Sequence, residues 1–215
     1  MMRFVNLRIY GLTNLLVTLC VLTVAPSTLN AQDRMPPIPA DKLTEAQKKA
    51  IADFQEARGT ADIGGPFVPM LRSPEVMSRA RAMGDYLRYK SALPPNLSEF
   101  VILLTARQWT QQYEWDTHYS IALKAGVSQA ALAAIAEGRR PSSMTMDQEI
   151  LYDFCDELQR NKSVSDATYA RMLTRFGDKG VIDTTGIVGY YTVLAMMMNV
   201  AQTPAQNNSE APKLR

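Results

Sequence analysis

One histidine occurs in 215 residues, in the stretch QQYEWDTHYS at 111–120, four positions after Glu114. On a helix that spacing puts an imidazole and a carboxylate on one face, one turn apart. Lining a common pocket, such groups pass a proton, which makes His118 a candidate general acid or base and Glu114 its orienting or relay partner. The same spacing also describes an ordinary surface pair worth roughly 0.3 kcal/mol, so it decides nothing alone. A metal centre fits less well. Glu-x-x-x-His offers two ligands where zinc takes three or four, and no second histidine exists to add. Neither a metal nor another cofactor is therefore expected.

Cysteine usage narrows the chemistry further. The chain has Cys20 and Cys155 and no Cys-x-x-Cys, which excludes two-thiol redox chemistry within a subunit. Cys155 sits in LYDFCDEL beside Asp153, Asp156 and Glu157, whose charges disfavour a reactive thiolate. It reads as a structural thiol.

The elements that must position His118 read as helix after helix. Thr44 with Gln47 forms a capping-box start for a helix over 45–58. A Gly/Pro loop follows, and Ser73-Pro74 opens a second helix through Lys90. After the break at ALPPN comes a long apolar-rich stretch from Leu97 to Ala125, closed by Gly126. Ser128 caps the next helix, Asp147 opens one over 148–161, and Ser165 opens one that Gly177 closes. A last apolar helix runs to Pro204 and includes Met196, Met197 and Met198, which read as core filling. Its all-round apolarity calls for burial inside the subunit or against another copy. No stretch alternates as a half-buried strand does, so the fold class is all-α, a bundle of about seven or eight helices.

The two ends read differently from the middle. Arg3 and Arg8, an apolar run of about 17 residues and then small and polar residues have the order of a secretory signal peptide over 1–31. Export to the periplasm or beyond is the expectation. Residues 32–203 form the helical domain, and 204–215 read as a disordered tail. Of 23 basic and 21 acidic residues, 1–31 hold two arginines and no acid, so the remainder is neutral. No basic field is left to draw nucleic acid or, after cleavage, a membrane surface.

The stretch LSEFVILLTARQWTQQYEWDTHYSIALKAGVS resembles the signature of the carboxymuconolactone decarboxylase family, which includes the alkylhydroperoxidase D-like proteins. The likeness extends to GGPFVPMLRSPEV before it and GVIDTTGIVGYYTVLAMMMNV after it, over roughly residues 60–200. In the peroxidase branch the pattern is Glu-x11-Cys-x2-Cys-x3-His. Counted from Glu99, those positions fall on Gln111, Glu114 and His118, so the acid and the histidine match while both cysteines are absent. The resemblance implies the non-redox branch, a helical homo-oligomer (a trimer or a hexamer) and a site built from Glu99, Glu114 and His118.

That site carries a geometric condition. Nineteen positions separate Glu99 from His118, about 28 Å along an unbroken helix. The resemblance therefore requires a hairpin, with helices over 97–108 and 111–125 and Thr110 an acceptable cap for the second. Glu99 has a structural reading too, as the third residue of a helix capped by Asn96. Buried beside carboxylates, His118 would be drawn toward its charged form by them and toward neutrality by desolvation. Arg107, Gln111 and Trp115 are candidates for substrate contact: Arg107 by a two-pronged grip on a carboxylate, Trp115 as an apolar wall with Trp109 and Tyr113. Tyr190 and Tyr191 have hydroxyls to offer, and Gly186 and Gly189 suit close helix packing.

Three functional readings stay open. One is a carboxy-lyase-like enzyme acting on a small lactone or keto acid, with His118 as the proton-transfer group. The second is a peroxide-handling oxidoreductase, and the third a non-catalytic binding or structural oligomer.

Overall fold

Eight α-helices account for the core of the chain, and no strand occurs among the described residues. The computed structural model describes residues 33–214 apart from 61 and 209. The expected signal peptide lies outside them. In order the helices are α1 Glu45–Arg58, α2 Phe67–Met70, α3 Pro74–Tyr89, α4 Pro95–Gln108, α5 Gln112–Lys124, α6 Gln129–Ala136, α7 Met146–Asn161 and α8 Asp166–Ala201. The all-α expectation holds, with the short α2 as an addition inside the Gly/Pro loop.

Local side-chain chemistry sets most of the boundaries. Thr44 accepts from the Gln47 backbone amide while the Gln47 side chain accepts from the Thr44 amide, the expected capping box of α1. At α7 the start moves. Thr145 and Gln148 make a second box, so the helix opens at Met146 and Asp147 lies inside its first turn. Each such cap stabilises its helix by about 1 kcal/mol. Ser128 and Ser165 cap α6 and α8 as read. Gly177, at φ 68° and ψ 177°, ends the first part of α8, and the second part continues from it without a loop.

The most enclosed element is α4, not the last helix. Leu97 to Leu103, Thr105 and Ala106 are all buried because α3, α5, α6, α7 and α8 pack around it. Val101 and Ile102 join a cluster that includes Phe54, Leu151 and Ile187, whereas Phe100 and Leu103 meet Trp115 and Leu132 of α5 and α6. Burying each of these large side chains is worth about 1.5–3 kcal/mol. Meanwhile α8 leaves Ile182, Val193, Met196 and Val200 exposed. The methionine run therefore divides: Met198 is in the core and Met196 faces out.

The tail also departs from expectation. Asn208 donates to the Asp116 carbonyl and to Ser120 Oγ, Leu214 N donates to Gln112 Oε1, and Ala211 is buried against the α5–α6 cluster. Asn208, Ala211 and Leu214 thus lie against α5 and its neighbour α6. Their polar composition hid this, because most of the anchoring is by hydrogen bonds.

Candidate active site

A turn of three residues creates the site. Past Gln108 the chain passes through Thr110 at φ 48°, a left-handed conformation that a β-branched residue adopts at a cost. The Gln111 amide closes the turn on the Ala106 carbonyl at 2.9 Å. Gln111, not Thr110, caps α5, its side chain accepting from the Tyr113 amide at 2.7 Å. The hairpin returns α5 along α4 and brings His118 Nδ1 to 2.6 Å from Glu99 Oε2, with both side chains buried. Glu99 has no capping role. Pro94 is the N-cap and Pro95 begins the helix, which puts Glu99 beyond the first turn.

An ionised carboxylate only accepts hydrogen bonds, so beside an ionised Glu99 the proton of this contact would lie on Nδ1, with Nε2 left as the second ring nitrogen. The ring stands edge-on to Tyr191, with centroids 5.2 Å apart. Glu99 has a second neighbour, Arg88 of α3, whose Nε lies 3.9 Å from Oε1.

Glu114 does not hold the imidazole, contrary to the orienting role its spacing suggested. It is 3% exposed, and neither of its oxygens has a hydrogen-bond partner among the described residues. Burial pushes this carboxyl well above its ordinary 4.5. Burying it as an ion would cost far more than burying it neutral. His118 and Glu114 line one cavity of about 240 Å³, together with Arg88, Tyr113, Tyr190 and Tyr191. Burial raises both phenols, Tyr190 to about 12, so each enters the cavity as a neutral hydroxyl.

Glycines make room for this wall. A Cβ on Gly84 would lie 2.2 Å from Tyr190 Oη. Gly65, at φ 55°, accepts the Tyr113 ring where a Cβ would meet Cε1 at 2.7 Å. Gly186 likewise allows Leu87 to approach α8, while Gly189 faces open space.

Three expected substrate contacts fall elsewhere. Arg107 donates through Nε to the Ala136 carbonyl at 3.0 Å and lines a different cleft beside Gly138, serving the C-terminus of α6. Gln111 is spent on the α5 cap and on Asn199, to which its Nε2 donates at 2.7 Å. Trp115 is wholly buried with Tyr119 on the opposite side of α5. The helical period explains the division: 114 and 118 face the cavity, whereas 115, 119 and 122 face α6. Trp109 is also outside the cavity, donating from Nε1 to Thr192 Oγ1 at 3.0 Å. Arg58 and Arg88 were not singled out from the sequence, because each reads as a basic residue in the last turn of a helix.

Cys155 lies in the α4–α8 core, fully buried, and burial with the nearby Asp156 pushes its thiol far up.

Residues 74–144 match the carboxymuconolactone decarboxylase family. The match spans α3 to α6 and includes Arg88, Glu99, Glu114 and His118. It is narrower than the likeness noted over 60–200 and leaves out Arg58, Tyr190 and Tyr191. No curated protein matches the chain.

Proposed function

Taking a chain whose residues 74–144 match the carboxymuconolactone decarboxylase family as premise, we propose an exported, cofactor-free enzyme that decarboxylates a small lactone acid or keto acid. The observation that carries this reading is one cavity holding two different proton-bearing groups. Glu114 is a buried carboxyl without a partner, and His118 is an imidazole whose Nδ1 is already bound by Glu99.

Their environments suit separate tasks. As the bond to the departing carbon dioxide breaks, its electron pair enters the neighbouring carbonyl and negative charge gathers on that oxygen. Neutral Glu114 donates a hydrogen bond there. A donor aimed at developing charge is worth about 10²- to 10³-fold in rate. His118, protonated, then gives its Nε2 proton to the carbon and is reprotonated from solvent. General acid catalysis of this kind contributes about 10²- to 10⁴-fold. Glu99 orients the ring and balances its charge. The phenols of Tyr190 and Tyr191 and the rings of Phe54 and Phe67 keep the cavity partly apolar.

Peroxide chemistry finds less support. The positions equivalent to the redox cysteines carry Gln111 and Glu114, and the buried Cys155 thiol lines no described cavity. The exposed apolar residues of α8 support the proposed homo-oligomer, and the basic start with its apolar run supports export.

The test is carbon dioxide release from a panel of small lactone acids and keto acids. Wild type should turn over at least one compound, and His118→Ala should lose that turnover with its helical circular dichroism unchanged. Equal turnover by His118→Ala would refute the assignment.

A further inference from the structure

Two guanidinium groups line the His118 cavity, and they are not equivalent. Arg58 is committed. Its Nε and Nη2 lie 3.0 and 2.9 Å from Asp85 Oδ1, and its flat face rests on the rings of Phe54 and Phe67 at 4.7–4.9 Å. Asp85 is held in turn by Arg81 at 2.7 Å. Such a group is anchored as a wall, its Nε and Nη2 turned to Asp85 and away from a ligand.

Arg88 is built differently. Its one ion-pair contact is Nε to Glu99 Oε1 at 3.9 Å, beyond hydrogen-bond range, and its guanidinium carbon lies 5.4 Å from the Tyr89 ring centre. Among the described residues, no hydrogen bond to another protein group uses Nη1 or Nη2. The side chain is only 26% exposed, so the charge is held near the site and is not released into water. Its field reaches Tyr191, where it opposes that of Glu99. The guanidinium fork is the shape that grips a carboxylate through two parallel N–H donors.

The rest of the cavity limits what that carboxylate can be attached to. Its volume of about 240 Å³ falls below the range of about 300–1,000 Å³ of drug-sized pockets. Phe54, Phe67, Tyr113 and Tyr190 supply flat, largely apolar surfaces. Benzoate, a small flat acid, suits both constraints as a probe.

We infer that Arg88 is the carboxylate receptor of this cavity and grips an acid ligand through its Nη edge. With Nε turned to Glu99, one residue links ligand recognition to the His118–Glu99 pair. The inference uses the cavity of the proposed decarboxylation but not its chemistry.

Calorimetric titration with benzoate and its neutral counterpart benzamide tests it. Wild type should bind benzoate at least about tenfold more tightly than benzamide, a difference of about 1.4 kcal/mol. Arg88→Gln should remove that preference, and Arg88→Lys should restore part of it. Equal affinities for the two compounds, no binding of benzoate, or full benzoate affinity in Arg88→Gln would each overturn the inference. Should Arg88→Gln fail to fold, Arg88→Lys decides: a weakened preference for benzoate is expected, and the full wild-type preference would overturn the inference. Benzoate selectivity without turnover of any lactone or keto acid would sink the proposed reaction alone. Turnover without benzoate selectivity would sink the Arg88 assignment alone.

Discussion

Glu114 is the residue whose environment has the clearest consequence in solution. Its carboxyl is raised far above 4.5 by burial, so the folded chain keeps a proton that the unfolded chain releases. The stability associated with that proton is fully present below pH 4.5 and is lost as pH rises toward the folded-state value. Across that window the contribution of Glu114 to stability declines steadily as pH rises. Glu114→Gln removes the titrating group. Its urea midpoint should therefore drop less than that of wild type between about pH 5 and about pH 8. Parallel pH profiles would show that Glu114 is ionised in the folded state. A second residue-level expectation concerns Gly84. An added methyl meets Tyr190 Oη at 2.2 Å, so Gly84→Ala should destabilise by about 1–3 kcal/mol in denaturant titration. His118 and its acids were legible in the sequence through their spacing and the family pattern. The division of labour between Glu99 and Glu114 was not, because spacing along one helix favours the i,i+4 partner while the tertiary hairpin supplies a nearer one.

At the scale of elements, the hairpin between α4 and α5 carries the site and is held by an unfavourable residue. A Thr at φ 48° replaces the glycine that such a turn usually recruits. Thr110→Gly should raise stability by about 1 kcal/mol in urea titration without moving the helices; a loss of stability would show that the Thr110 side chain contributes an undetected contact. The turn's location was implied by the family resemblance that joins Glu99 to His118, yet its residues carried no ordinary turn signal. Capping boxes and Pro or Gly breaks made most helix boundaries readable, with the α7 start displaced because Thr145 outcompeted Asp147 as the cap. The strap over α5 was unreadable for the opposite reason. Asn208 and Leu214 anchor it through hydrogen bonds to α5, and no apolar periodicity announces such contacts.

For the whole molecule, burial is shared unevenly between two helices of similar apolar character. The centre belongs to α4, while α8 turns Ile182, Val193, Met196 and Val200 outward. Positions 189, 193, 196 and 200 recur on one helical face, with Gly189 allowing close approach. The proposed assembly uses this face. Val193→Glu should lower the mass found by light scattering while leaving helical content unchanged. A monomeric wild type at micromolar concentration would contradict the assembly. The all-α class was accessible from pattern and the hairpin from the family resemblance, whereas the enclosure of α4 was not, because hydropathy ranks both helices as apolar and only packing chooses between them.

The central claim is that Glu99 holds Nδ1 of His118 so that Nε2 is the nitrogen available for proton transfer. Because the chain has one histidine, nitrogen NMR of the untagged protein reads that ring without ambiguity. In the neutral imidazole the proton should reside on Nδ1, and Glu99→Leu should release that preference. A proton on Nε2 in the wild-type neutral ring would contradict the account.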